Sequence, residues 1–251
     1  MKSVIHHNFQ KYNKELNEII DSFDLEGRVY GNQDRNQLKL FELEDFTINI
    51  KSFKTPNFFN QVVYRLFRKS KAKRSYEHGL KLSELGIGTP SPIAFYEFPK
   101  KLLFKSSFYI SLHIKYDLTF RELTHDLNYP DHETILRAFT RYTYKLHENN
   151  ILFLDHSPGN TLIKKIEDGY AFYLVDLNRM VFKPLNFKDR IENFRRLTVH
   201  RSMIETMSDE YARISGFDYN QIVDMMWSST EEFQKKFHRK RRLKKRLKLE
   251  S

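Results

Sequence analysis

Phe153 to Ile163 reads FLDHSPGNTLI, and it sets a carboxylate and a carboxamide five positions apart across a Pro-Gly turn. Apolar residues flank both ends, and Pro with Gly reverses the chain between them, so Asp155 and Asn160 can present their side chains in the same direction. A second acidic residue, Asp176, follows the strand-like run YAFYLV in LVDLNRM. A carboxylate at a strand end, next to a carboxamide on a neighbouring loop, makes a hard oxygen site. Such a site suits Mg²⁺, which takes few protein oxygens and shares its remaining positions with water and phosphate. Asn160 and Asp176 are therefore the candidate metal ligands. Asp155, with no second carboxylate beside it, is left to accept a proton from an incoming hydroxyl.

Phosphate calls for a cation. In INIKSFK the alternation of a strand puts Ile48 and Ile50 on one face and Asn49, Lys51 and Phe53 on the other. With the isoleucines in the core, Lys51 faces outward toward a ligand. Glu77, in the middle of the next helical stretch, is placed to orient Lys51 as an ion pair, with Glu84 as a rival for that role. The turn GNQDRN, which closes at Asn36, can lie over phosphates through its backbone N–H groups. Taken singly these are ordinary residues: Asp and Asn are common in turns, and lone lysines and glutamates usually sit in solvent. Their order along the chain gives them weight together.

The elements that must hold them follow from periodicity. After a leading segment with amphipathic helical spacing, Val29-Tyr30, Gln37 to Leu43 and Phe46 to Phe53 read as three strands of an antiparallel meander. Thr55-Pro56-Asn57 punctuates it, and Ser70 to Leu85 has helical spacing, with Ala72, Tyr76 and Leu80 on one stripe. GIGTPSP stops that helix, and Ile93 to Phe98 and Ser107 to Ile114 supply two more strands. From Leu118 on the pattern turns helical, interrupted by two short apolar runs at Leu162-Ile163 and Ala171 to Val175. The fold class is α+β, with a five-stranded antiparallel lobe carrying one main helix and a second lobe that is mostly helical. The divisions fall at residues 1–116, 117–234 and a basic tail, 235–251. A hinge near Lys115 to Asp117 would join two lobes meeting in a cleft, which is where ligands bind.

Composition narrows the classes. With 251 residues, 40% of them apolar, the chain can bury a real core. It has no cysteine, so thiolate chemistry and disulfides are excluded. No apolar run approaches the roughly 18 residues of a spanning helix, and MKSVIHHNFQKYNKEL lacks the apolar core of a signal peptide. The expected location is the cytoplasm. The formal charge is +11, but KKFHRKRRLKKRLKLES carries ten Lys and Arg against Glu250, so the preceding body is nearly neutral. A nucleic-acid groove is not required. The tail by itself fits a solvated extension, an anionic lipid surface or a nucleic-acid arm.

The order strand Lys51, helix Glu77, D-x-x-x-x-N and strand-end Asp176 resembles the protein-kinase-like fold over roughly residues 29 to 215. Within that fold the chain looks most like the bacterial lipopolysaccharide core kinases, on INIKSFK, SKAKRSYEHGLKLSELGIGTPSP, KLHENNILFLDHSPGN and LVDLNRM. The resemblance implies ATP and Mg²⁺ as cofactors, with Lys51 on the phosphates, Glu77 on Lys51, Asn160 and Asp176 on the metal, and Asp155 as base. It also implies that backbone groups near His113 to Lys115 bind adenine. The implied acceptor is a sugar hydroxyl of a glycolipid, most simply Kdo on lipid A, which favours lipid over nucleic acid as the tail's partner. The protein would then sit peripherally at the cytoplasmic face of the inner membrane. Phe153 and Leu154 stand where protein kinases carry His and Arg, Asn178 stands in place of a Gly, and no A-P-E segment follows. These departures disfavour a protein substrate. A protein or small-metabolite kinase, or a pseudokinase scaffold or nucleic-acid binder, is the alternative.

Overall fold

The computed structural model describes residues 1–31, 36–53, 69–100 and 103–249, and it forms two compact units. The first is Met1–Lys115 with Asp176–Asn178; the second is Tyr116–Val175 with Arg179–Ser251. The return of Asp176–Asn178 to the first unit has no signature in the residue pattern.

In the first unit, β1 (Lys2–Ile5), a short 3-10 turn and α1 (Asn13–Asp21) precede β2 (Arg28–Val29), β3 (Asn36–Leu43) and β4 (Phe46–Phe53). Then come α2 (Lys71–Glu84), β5 (Pro92–Lys100) and β6 (Leu103–Leu112). The strands make one antiparallel sheet in the order β1-β5-β6-β4-β3-β2. Five were expected. The sixth, β1, comes from the start of the leading segment, where Lys2 to Ile5 pair with Glu97 to Ala94 of β5. Val4 and Ile5 are β-branched and suit a strand, and their pairing covers what would otherwise be an open sheet edge. The expected leading helix begins only at Asn13.

Each sheet face has its own core. Ile48 and Ile50 are fully buried and cluster with Leu16, Ile20 and Phe23, the first two on one face of α1. Phe53, on the opposite face, packs with Ala72 and Tyr76 of α2 and with Phe95 and Tyr109. The expected alternation along β4 therefore holds, and Lys51 lies on the α2 side. Ser70 caps α2 by accepting from the Lys73 N–H at 3.0 Å. At Gly79 an added Cβ would stand 2.6 Å from Pro92 Cγ, so the missing side chain lets α2 approach β5 closely.

The second unit opens with β7 (Leu118–Thr119) and α3 (Phe120–His125), whose start is closed by a Thr119–Glu122 capping box. α4 (His132–Glu148), β8 (Ile151–Phe153), β9 (Thr161–Ile166), β10 (Gly169–Leu174) and β11 (Met180–Phe182) follow. The unit ends with α5 (Phe187–Glu192), α6 (Arg201–Ser215) and α7 (Tyr219–Leu249). Two small sheets, β10-β9-β7 and β11-β8, frame the segment that carries Asp155 and Asn160. The core joins Ile135, Leu136 and Phe139 of α4 to Met203, Ile204, Met207 and Tyr211 of α6 and Ile222, Val223 and Met226 of α7. The basic tail expected as a separate segment is part of α7, which runs into it without a break. Among the described residues no helix is long and apolar enough to cross a membrane.

Candidate functional site

In the first unit, β4 delivers Lys51 with its Nζ 2.7 Å from Asp176 Oδ1. The two side chains are 14% and 27% exposed, so the pair is partly withdrawn from solvent while remaining accessible. Asn178 Nδ2 donates to the same carboxylate oxygen at 2.7 Å. Asp176 has a left-handed backbone, φ +60°, a conformation that short polar residues such as Asp tolerate better than most. α2 holds the rest of this short segment. Arg74 donates to the Asn178 carbonyl at 2.8 Å, and His78 Nδ1 lies 2.7 Å from the Leu177 carbonyl. A carbonyl only accepts, so the His78 proton sits on Nδ1. Burial lowers the pKa of that ring and favours its neutral form, while the bond to the Leu177 carbonyl works in the opposite direction.

The remaining first-unit candidates fall differently. Lys51 pairs with Asp176, while the Glu77 carboxylate is taken by Lys69 at 2.9 Å and approached by Lys73 at 3.9 Å. The structure therefore does not bring Lys51 and Glu77 together as an ion pair. Lys73 and Glu77 stand four apart on one helix face, the spacing that could have announced this contact. Glu84 is exposed at the end of α2. Asn36 opens β3 opposite Phe53. Residues 32–35 of the expected phosphate-covering turn lie outside the described residues, as does Thr55-Pro56-Asn57. His113 donates its backbone N–H to the Thr47 carbonyl at 2.9 Å, and its ring lies against Tyr30 with centroids 5.2 Å apart. Lys115 is exposed at the end of the unit.

In the second unit, β8 ends at Phe153 and β9 begins at Thr161, with Asp155 and Asn160 between them. Across the reversal, Asn160 Nδ2 donates to the Asp155 main-chain carbonyl at 2.8 Å. That leaves the Asn160 carboxamide oxygen as the atom a hard cation would take. The Asn160 carbonyl accepts from the Val175 N–H at 3.0 Å, and Val175 is followed directly by Asp176. The Asp155 carboxylate, 18% exposed, accepts from Arg196 at 2.7 Å. Arg196 was not anticipated, because it lies far along the chain with no spacing rule to connect it.

Below the loop, Asn193 Nδ2 donates to the Phe153 carbonyl at 2.8 Å. Asn193 Oδ1 lies 3.2 Å from His147 Nε2, and His147 Nδ1 lies 2.9 Å from the Tyr211 hydroxyl. Since the carboxamide oxygen must accept, His147 carries its proton on Nε2 and accepts from Tyr211. Burial pushes His147 down to about 4, keeping it neutral. His156 is also fully buried, ringed by Phe139, Phe153 and Phe194, and burial lowers it to about 3. Its ring packs under the loop, away from any solute.

Each unit carries a hard oxygen of the kind magnesium takes, the Asp176 carboxylate in the first and the Asn160 carboxamide oxygen in the second. No group of three His, Asp or Glu side chains suited to a metal occurs among the described residues. Mg²⁺ coordinated largely by water and phosphate needs no such protein cage.

Comparison with solved structures finds WaaP in complex with acyl carrier protein, at a TM-score of 0.65 and 14% sequence identity, covering 95% of this chain and 99% of that one. The fold is kinase-like. At that identity the likeness is one of fold. No protein-family model matches the chain, and no curated protein matches it.

Proposed function

We propose that this protein is an ATP-dependent phosphotransferase with an alcohol acceptor, a hydroxyl of a lipopolysaccharide inner-core sugar, with Kdo on lipid A favoured. The observation that carries the reading is the partly buried Lys51–Asp176 pair, 2.7 Å apart, in a chain with a WaaP-like fold. The Asp155–Asn160 loop supports it, and its carbonyl bond to Val175 ties it by one peptide link to Asp176.

In this reading Lys51 binds the nucleotide phosphates, held by Asp176 in place of the expected Glu77. Asp176 and Asn160 would hold Mg²⁺, which when bound neutralises charge on the β- and γ-phosphates. Backbone groups near His113 to Lys115 take the adenine. Asp155 accepts the proton of the acceptor hydroxyl as that oxygen bonds to the γ-phosphorus. The bond from phosphorus to the β–γ bridging oxygen breaks, and ADP leaves with the electron pair.

The glycolipid acceptor gives the basic end of α7 its role. Phe237 and Leu243 are about half exposed there, and Lys235, Arg239, Lys240, Arg241 and Arg242 are exposed around them. Cations with interspersed apolar side chains suit the anionic cytoplasmic face of the inner membrane.

The test is incubation with Mg²⁺-ATP and Kdo-bearing lipid A, read by mass spectrometry, with Asp155→Asn as control. One added phosphate is expected, slowed about 10²- to 10⁴-fold in the control with nucleotide binding kept. Turnover of the control at the wild-type rate would refute the assignment of Asp155. Transfer to a protein or a small metabolite, with none to the glycolipid, would replace the acceptor.

A further inference from the structure

Arg196 reaches the Asp155 loop from below. It sits in a tight turn after α5, where N–H groups bond back three residues, as from Arg195 to the Glu192 carbonyl and from Leu197 to the Phe194 carbonyl. At that pitch Asn193 and Arg196 share one face. Asn193 takes the Phe153 carbonyl. One turn on, Arg196 donates to the Leu154 carbonyl at 3.2 Å and to Asp155 Oδ1 at 2.7 Å. The other side of its guanidinium lies over the Phe233 ring of α7, 5.4 Å from the centroid, and its buried Nε has no hydrogen-bond partner among the described residues. The neighbouring Arg195 pairs instead with Glu192 and is about half exposed.

We infer that Arg196 is a positioning residue that fixes the Asp155 carboxylate for proton abstraction, and that Phe233 fixes Arg196, so that α7 is coupled to the acceptor-activating group. This rests on the phosphotransferase reading above. With Oδ1 held by the guanidinium and the loop carbonyl held by the same group, Oδ2 is the oxygen presented to the acceptor hydroxyl. A base must hold its geometry to within a fraction of an ångström to act. One arginine binding both the side chain and the adjacent backbone supplies that restraint, and the ring beneath limits its swing. The same helix carries the cationic end, so the ring that fixes Arg196 and the basic surface lie on one continuous helix.

The experiment measures phosphoryl transfer to Kdo-bearing lipid A, and ATP hydrolysis with water in the acceptor's place. Arg196→Met should lower kcat about 10- to 100-fold with the KM for ATP unchanged. Arg196→Lys should recover part of the loss, since it keeps the charge but not the planar fork. Phe233→Leu should lower kcat about 2- to 5-fold. Arg195→Met should match wild type. In an Asp155→Asn background, Arg196→Met should cause no further loss, because it acts through that carboxylate. Where Arg196→Met abolishes the Trp227-monitored unfolding transition, Arg196→Lys decides, and wild-type kcat in it overturns the inference. Wild-type kcat in Arg196→Met, or an equal loss in the Asp155→Asn background, overturns it while leaving the phosphotransferase reading intact. A wild-type protein that neither transfers nor hydrolyses overturns both.

Discussion

Acidification from pH 7 to pH 5 should destabilise the second unit through two buried histidines. An unfolded chain protonates a histidine near 6.5, whereas burial lowers His147 to about 4 and His156 to about 3 in the folded unit. A folded-state pKa below the unfolded one means that the unfolded chain binds more protons between the two values. The stability held by these neutral rings is therefore full above 6.5 and is lost as pH falls toward 4 and 3. One pKa unit is worth about 1.4 kcal/mol, so at pH 5 each ring costs about 2 kcal/mol and the pair about 4 kcal/mol. Glu210 acts lower on the scale. Burial pushes its pKa up, but bonds from Arg213 and Arg141 outweigh that and lower it below 4.5, so its contribution is lost only under that value.

The assay is urea unfolding at pH 7, 6 and 5, followed by fluorescence of Trp227, which is the sole tryptophan and lies half-buried on α7. His156→Leu puts an apolar side chain among Phe139, Phe153 and Phe194 and removes one of the two protons. It should cut the loss between pH 7 and pH 5 by about half, to about 2 kcal/mol. A wild-type loss below about 1 kcal/mol, or equal losses in wild type and variant, would refute the reasoning.

Three further outcomes follow from the contacts. Gly79→Ala should destabilise the first unit by about 1 to 3 kcal/mol, because its Cβ would stand 2.6 Å from Pro92 Cγ; hydrogen exchange in α2 reads this. Asp176→Asn removes the charge facing Lys51 and one hard oxygen, so under the proposed function Mg²⁺-dependent ATP binding by calorimetry should weaken at least about tenfold. Under the proposed function, removal of residues 235–251 should abolish sedimentation with phosphatidylserine vesicles, since each basic residue near the surface contributes about 1 kcal/mol.

Much of the first unit was legible because strand periodicity fixes which way a side chain points. Ile48 and Ile50 announced the buried face of β4, and Lys51 had to lie opposite. The partner of Lys51 was not legible. The pairing with Asp176 joins residues far apart in sequence, whereas the competing Lys73–Glu77 approach is a local spacing that was there to be read. β1 was missed because four residues show no distinction between a short strand and the first turn of a helix. The Pro-Gly reversal between Asp155 and Asn160 was legible, but the complete burial of His156 was not, because Phe139 and Phe194 reach it from distant elements.

What sequence periodicity cannot reach is how an irregular segment is held still. Between Phe153 and Asp155 three successive carbonyls accept from side chains, those of Asn193, Arg196 and Asn160. Across Asp176–Asn178, three successive residues are again held by side chains, through the Asp176 carboxylate by Lys51, the Leu177 carbonyl by His78 and the Asn178 carbonyl by Arg74. A helix or strand satisfies its own backbone and leaves a period in the sequence; a short loop borrows donors from elsewhere and leaves none. Both segments carry a carboxylate with a proposed role in phosphoryl transfer, and both also depend on partners, Asn193 and Arg196 in one and His78 and Arg74 in the other, that contact no substrate in that scheme. Substitutions at Asn193, His78 and Arg74 should therefore lower turnover by loosening geometry, with effects that fail to add to those of Asp155 or Asp176.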